Sequence, residues 1–186
     1  MKNLVLLICA TGLLATGSYG QKYFTKIGKI NFDATTASSP EKIEGINRTV
    51  TCVVDTKTGN IQFSVLMKGF EFEKALMEEH FNENYVESEK FPKAEFKGLI
   101  DNNDKVNYSK DGTYTVKVKG KLAMHGETKD VESEGKITVQ NGKINAAAEF
   151  NVSLADFKIS VPGLVADKVS KTAKITVTCS LDLLKG

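Results

Sequence analysis

The chain has 186 residues, of which 41% are hydrophobic and 26% are charged, and its formal net charge is +2 at pH 7. This length accommodates a single domain with a sizeable core. The composition excludes both a disordered chain and a polytopic membrane protein. The near-neutral balance of charge argues against a nucleic-acid partner, which would require clustered lysines and arginines.

The first twenty residues form a segment of their own. Lys2 supplies a positive start, residues 4–15 are apolar, and Ser18-Tyr19-Gly20 places small residues at the two positions that a signal peptidase reads. This layout is typical of a secretory signal peptide and is too short for a membrane-spanning helix. We therefore predict that residues 1–20 are removed, that residues 21–186 form the mature domain without an integral membrane segment, and that it is periplasmic or secreted. A retained N-terminal anchor is the alternative.

Alternation of apolar and polar residues dominates the mature chain. In residues 114–124 every even-numbered residue is apolar or glycine and nearly every odd one is polar, which is typical of a strand with one buried face. His125-Gly126 and Asn141-Gly142 fit tight hairpin turns. The pattern predicts eight strands at about 24–34, 45–55, 60–72, 93–101, 112–124, 128–140, 142–155 and 171–184.

One segment departs from this rhythm between the third and fourth predicted strands. Residues 73–89 carry apolar side chains near helical spacing, and Phe91-Pro92 ends them, so we predict a short helical insert. A second irregular stretch, 157–170, has room for one helical turn. Eight antiparallel strands can stack as a sandwich or close as a barrel, and strands of more than ten residues favour the closed barrel.

The inward positions include many small residues, which predicts an internal cavity. They are Ala34, Ala94, Gly98, Gly120, Ser133, Gly135, Ala146 and Ala148. Because a tightly packed core would lose several kcal/mol for each large side chain replaced by alanine, so many small ones suggest space for an apolar ligand. The alternative is that the glycines permit strand bending and the phenylalanines fill the remaining space.

The ligand-binding residues that we predict fall into two groups. Phe32, Phe63, Phe96, Met124 and Phe150 face inward from the strands and would form the cavity wall, and Met77, His80, Phe81 and Tyr85 lie on the insert and would border its mouth. Met77, Phe81 and Tyr85 form a candidate lid over one end of the barrel, although apolar side chains at this spacing more often belong to the hydrophobic core. His80 would contact a ligand headgroup or, alternatively, would be a partly buried histidine that donates to a carbonyl.

Nothing in the sequence indicates catalysis or a metal or other cofactor. The chain lacks a nucleophile elbow, a zinc-protease motif and a phosphate-binding glycine loop. His80 and His125 lie in separate elements, and turn geometry accounts for His125. Cys52 and Cys179 would lie two strands apart in a closed barrel, about 9–10 Å, which favours free thiols over a disulfide.

Two segments resemble markers of a known family. Residues 79–96, EHFNENYVESEKFPKAEF, resemble a helical stretch of the form HF…Y…S…(Y/F)P.A.F, and residues 118–131, VKGKLAMHGETKDV, resemble a G.L..(H/N)G.TK.V hairpin. Both are found in the YceI-like family of bacterial secreted proteins, and the resemblance covers the mature chain. It implies a lipocalin-like barrel whose apolar interior binds a polyisoprenoid chain or another long-chain lipid.

The segments 154–159 and 37–44 depart from many relatives at places where a barrel mouth could be shaped, which leaves the ligand's identity open. A homodimer is also left open. The sequence thus predicts a non-enzymatic lipid-binding protein. The alternative is a structural or interaction protein with a filled barrel.

Overall fold

A computed structural model describes residues 21–184 of the chain. The predicted signal peptide lies outside these residues. Within them the strands are β1 Lys22–Thr35, β2 Glu44–Asp55, β3 Asn60–Leu66, β4 Phe70–Phe72, β5 Lys93–Ile100, β6 Gly112–Met124, β7 Glu127–Gln140, β8 Lys143–Ser153 and β9 Val169–Leu183, with one α-helix, α1, at Ala75–His80. No helix among the described residues is long and apolar enough to cross a membrane.

The sheet closes on itself as an antiparallel barrel. Its strand order is β1-β9-β8-β7-β6-β5-β3-β2, and β1 pairs with β2 to complete the circle. The short β4 pairs with β2 beyond the end of β3, so β3 and β4 together occupy one position in the wall. The predicted eight-stranded barrel is therefore confirmed.

The predicted third strand is interrupted, which corrects the sequence interpretation of 60–72 as one strand. Residues 67–69 form a tight turn between β3 and β4. Asn47 on β2 lies fully buried beside this break, where its Nδ2 donates to the carbonyl of Leu66 at 2.9 Å. Its Oδ1 accepts from the backbone N–H and the hydroxyl of Thr49. A buried amide with all these partners replaces the ladder bond that the break removes.

The two predicted tight hairpins are present, and their backbone angles explain their sequences. His125 and Gly126 have φ of 51° and 78°, and Asn141 and Gly142 have φ of 51° and 75°. Two successive positive φ angles define the turn that matches the twist of a two-residue hairpin, and asparagine and glycine tolerate them best. These turns fix the register of β6 with β7 and of β7 with β8.

The insert is helical, as predicted, but its α-helix is shorter than the predicted segment. The α-helix α1 covers six residues and continues into a wider turn at Phe81–Tyr85. Glu87 then adopts a φ of 45°, and the chain turns back towards β5. The other irregular stretch contains two short turns, Leu154–Phe157 and Gly163–Val165.

The barrel has two unlike ends. The packed end, where β1 begins and β9 ends, is covered by residues 101–111 and contains the buried side chains Tyr23, Val54, Val106, Val139, Ile144 and Leu181. The opposite, hollow end is covered by the segments 36–43, 67–92 and 154–168. Every long connection except 101–111 therefore lies at the hollow end.

Candidate functional site

A cavity of about 480 Å³ occupies the barrel interior towards the hollow end. Pockets that bind small molecules typically span about 300–1,000 Å³ and are mostly apolar. The cavity wall is formed by aliphatic and aromatic side chains from the strands and the insert. Its polar and charged members, beside the phenol of Tyr85, are Glu41, Lys74, His80, Ser133, Lys136 and Lys168.

All nine residues predicted to border a ligand line this cavity. They are Phe32, Phe63, Met77, His80, Phe81, Tyr85, Phe96, Met124 and Phe150. Phe81 is buried, and its ring centroid lies 4.9 Å from that of Phe72 and 5.3 Å from that of Phe70. Met77 and Tyr85 are half-buried, and burial raises the pKa of Tyr85. The insert thus contributes one core anchor and two side chains at the cavity surface.

The small inward residues divide into two groups. Ala94, Ser133, Gly135, Ala146 and Ala148 line the cavity. Gly98 and Gly120 do not, and they face each other between β5 and β6, where a Cβ on Gly98 would lie 2.5 Å from the ring of Phe96. Ala34 is buried away from the cavity. The cavity interpretation therefore holds for the first group, and close backbone approach under an aromatic ring explains the two glycines.

The insert is tied to the neighbouring loop across the hollow end. Lys74, just before α1, forms an ion pair with Glu41 of the 36–43 segment. The hydrogen bond and charge of Lys74 lower the pKa of Glu41, and Glu41 raises the pKa of Lys74. His80 at the end of α1 is exposed rather than partly buried, and its side chain faces the mouth of the cavity.

His125 connects three segments of the hollow end, a role that turn geometry alone does not predict. Its Nδ1 lies 2.7 Å from the carbonyl oxygen of Phe157, and its Nε2 lies 2.9 Å from Oε2 of Glu87. Its ring packs at 4.6 Å against the ring of Phe91. Both ring nitrogens thus lie within hydrogen-bond distance of an oxygen atom from a distant segment. His125 therefore joins the β6–β7 turn to the end of the insert and to the 154–168 segment.

A family model described as "YceI-like domain" matches residues 25–181. The chain belongs to the YceI-like family. A search of the curated proteins finds no match. Solved structures with the same fold include a polyisoprenoid binding domain from Saccharophagus degradans, with 11% identity and a TM-score of 0.75 over 89% of this chain and 100% of that one.

Two further structures share the fold of this YceI-like chain. Burkholderia cenocepacia BcnA has 13% identity and a TM-score of 0.64 over 83% of this chain and 95% of that one. The Campylobacter jejuni YCEI protein has 14% identity and a TM-score of 0.57 over 81% of this chain and 90% of that one. At such identities the likeness extends to the barrel and not to individual side chains.

The two cysteines of this YceI-like domain lie outside the cavity, in the packed part of the barrel. Cys52 on β2 and Cys179 on β9 flank β1, and both thiols are free and buried. A Cβ on Gly28 would lie 2.6 Å from Sγ of Cys179, so the glycine makes room for the sulfur. The contact with Cys179, together with burial, raises the pKa of Cys52.

Chemically, the cavity offers apolar contact rather than a cluster of reactive groups. Among residues 21–184 no group of three or more histidines, cysteines and carboxylates is placed to hold a metal ion. The charged side chains at the cavity surface include Glu41 and Lys74, which neutralise each other. This arrangement can desolvate a hydrocarbon and leave a polar group at the mouth.

Proposed function

We propose that this chain is a periplasmic or secreted binding protein that holds an apolar or amphiphilic lipid of the polyisoprenoid type inside its barrel and catalyses no reaction. The observation that carries the proposal is the cavity of about 480 Å³ with its almost wholly apolar wall. Membership of the YceI-like family and the likeness to a polyisoprenoid binding domain support the choice of ligand. The signal-like segment at residues 1–20 supports the location.

Transfer of hydrocarbon out of water supplies the driving force in this proposal. Each methylene group that becomes buried contributes about 0.8 kcal/mol, which is about fourfold in affinity. The phenylalanines of the cavity wall add contact area without any hydrogen-bonding requirement of their own. A polar headgroup stays in water near Lys74 and His80, both of which are exposed.

A first experiment identifies the ligand by what the protein carries. Native mass spectrometry and organic extraction of protein purified from its native compartment should detect a co-purifying prenyl lipid or related amphiphile. Protein that carries none, and that does not bind geranylgeraniol or cis-parinaric acid when these are added, would overturn the proposal.

A matched pair of variants tests whether the ligand occupies the barrel. Ala146→Phe places an aromatic ring inside the cavity, and Asn145→Phe places the same ring on the exposed face of the same strand. Ala146→Phe should weaken cis-parinaric acid binding at least tenfold, whereas Asn145→Phe should bind like the wild type. Equal affinities in the two variants would place the ligand elsewhere. Far-UV circular dichroism verifies that both variants are folded.

A chain-length series tests the apolar driving force independently. Affinity for saturated fatty acids should rise about fourfold with each added methylene and then level off when the cavity is full. An affinity that ignores chain length would indicate headgroup recognition alone.

The alternative of a filled barrel that acts only through its surface is disfavoured by the cavity itself. In a filled barrel, inward residues such as Phe150 and Ala148 would be buried, but here both are only half-buried and line open space. The lipid-binding proposal accounts for that space.

A further inference from the structure

The wall of the barrel is incomplete between β7 and β8. The ladder between these strands runs from Gln140–Lys143 to Gly135–Ala148 and stops there. β7 nevertheless extends back to Glu127, paired with β6 from Val139 to Glu127, and β8 extends to Ser153, paired with β9. Residues 127–134 and 149–153 therefore form two facing strand edges without a mutual ladder. We call the gap between them the lateral slot.

The ends of the lateral slot are defined by specific contacts. At the inner end the strands lie closest at Gly135, where a Cβ would meet the carbonyl oxygen of Ala147 at 2.9 Å. Just beyond, Oγ of Ser133 lies 3.0 Å from the carbonyl oxygen of Glu134 on its own strand and 3.3 Å from that of Glu149 on β8, so its single proton is shared between the two strands. The slot's β8 edge of five residues spans about 17 Å.

At its outer end the lateral slot is bridged by the 154–168 segment. His125 contacts the carbonyl oxygen of Phe157, and Nζ of Lys158 lies 2.5 Å from Oε1 of Glu127. Both contacts join the tip of the β6–β7 hairpin to the segment that follows β8. The gap is thus bounded on all sides and is not a frayed edge.

The cavity extends to this gap. Its wall includes Val131, Ser133 and Phe150, which lie on the two strands beyond the last ladder pair, Gly135–Ala148. On β7 the inward residues change from buried at Gly135 and beyond to half-buried at Ser133 and Val131. A continuous ladder would bury these inward positions as it does Ile137 and Val139.

We propose that the lateral slot is the portal through which the hydrocarbon of the ligand enters and leaves the cavity. The half-buried Val131 and Phe150 give it an apolar lining for the hydrocarbon. The alternative route through the end of the barrel is crossed by the Lys74–Glu41 ion pair and is anchored by Phe81. This inference rests on the lipid-binding function proposed above.

A cross-linking experiment tests the portal. Glu132→Cys with Asn151→Cys places thiols on the two exposed edges of the lateral slot. Lys136→Cys with Ala147→Cys places thiols where the same strands are already paired, and serves as the matched control. Each protein is loaded with cis-parinaric acid, cross-linked with a short bismaleimide, and mixed with excess phosphatidylcholine vesicles. Intact-mass analysis verifies that the buried Cys52 and Cys179 have not reacted.

The slot cross-link should slow release of the probe at least tenfold, and the control cross-link should change it less than twofold. Equal release rates in both cross-linked proteins would overturn the portal. If the unmodified protein binds no probe, the lipid-binding function fails instead, so the two failures are distinguishable.

A single substitution examines the lateral slot without cross-linking. Alkylation of Ser133→Cys by iodoacetamide should be readily measured in the empty protein and should slow at least fivefold when cis-parinaric acid is bound. Alkylation at the same rate with and without the probe would also contradict the portal.

Discussion

The packed and hollow ends of the barrel are built from the same strands but differ in what packs inside and covers them. At the packed end Ile144 pairs with both Val139 and Leu181, and these three side chains are buried. Residues 101–111 cover this end, and Asn103 Nδ2 donates to the carbonyl of Thr56. The hollow end is covered by three segments that contact one another partly through polar side chains, Lys74 with Glu41 and Ser38 with the carbonyl of Asp167. One end therefore supplies stability and leaves the other free to enclose space.

One polar pair at each end shows a difference in exposure to solvent. Tyr108 in the packed-end segment donates its hydroxyl to Oδ1 of Asn103 at 2.7 Å, and burial raises the pKa of Tyr108 to about 12. At the hollow end the paired groups Glu41 and Lys74 remain in contact with solvent. Local opening should accordingly begin at the hollow end.

The largest expected effect is the difference between the losses of unfolding free energy that one substitution at each end causes. Leu181→Ala removes a fully buried side chain at the packed end and should lower the free energy of unfolding by about 2–5 kcal/mol. Leu122→Ala removes a half-buried side chain at the cavity wall. Leu122→Ala should lower the free energy of unfolding by about half as much or less, because part of the Leu122 side chain faces the cavity and makes no packing contacts there. Urea denaturation measures both, and equal losses would mean that the two ends are packed alike.

Much of this contrast could be predicted from the sequence, because strand residues alternate strictly between two faces. The alternation along each strand predicted that Phe63, Phe96 and Phe150 face the interior. The alternation could not predict which inward positions face open space, because that depends on the partner strand. Gly98 and Gly120 are predicted to face inward, as Ala146 is, yet these two glycines pair with each other.

Contacts between distant segments were beyond prediction for the same reason. His125 is 32 and 38 residues away from its two hydrogen-bond partners, and a turn residue with φ of 51° gives no sign of them in sequence. Asn47 has the same parity on β2 as the polar Thr49 and Thr51, and it is buried because the inward face of β2 changes parity between Asn47 and Val50, where the register with β1 shifts. The lateral slot depends on where two strands separate, which the sequence of either strand alone does not indicate.

The next largest effect tests whether the paired glycines belong to the wall rather than to the cavity. A Cβ on Gly120 would lie 2.5 Å from Cα of Gly98 and 2.7 Å from the ring of Phe96. Gly120→Ala should therefore cost about 1–3 kcal/mol of unfolding free energy. Gly163→Ala, where a Cβ would meet nothing within 4 Å, is the control and should change stability by less than about 0.5 kcal/mol. A tolerated Gly120→Ala would mean that β5 and β6 can separate without cost.

A smaller effect concerns the cover of the hollow end. His125→Asn keeps a residue that accepts a positive φ but removes the ring contacts to Glu87 and Phe157. It should lower unfolding free energy by about 1–2 kcal/mol, and His125→Ala should cost more because alanine also strains the turn. Release of cis-parinaric acid should become faster in both variants, since the hairpin beside the lateral slot is no longer held. A His125→Asn protein with wild-type stability and release would show that the bridge is dispensable.

The smallest effect comes from the solvent-exposed pair at the mouth, and its pH dependence has a definite sign. Lys74 lowers the pKa of Glu41 below its ordinary value of 4.5, so the pair stabilises the fold above that value and is lost as pH falls through the lowered one. Glu41→Gln should thus have a slightly lower thermal midpoint than the wild type at pH 7, and the difference should shrink as the pH falls below 4.5 and vanish once the wild-type carboxyl is protonated. Glu79→Gln, on the exposed face of α1, is the control.

If the hydrocarbon passes through the lateral slot, release of cis-parinaric acid should be the same in Glu41→Gln and wild type at pH 7. Faster release in Glu41→Gln would place the route at the end of the barrel, because only there does this ion pair lie across the path.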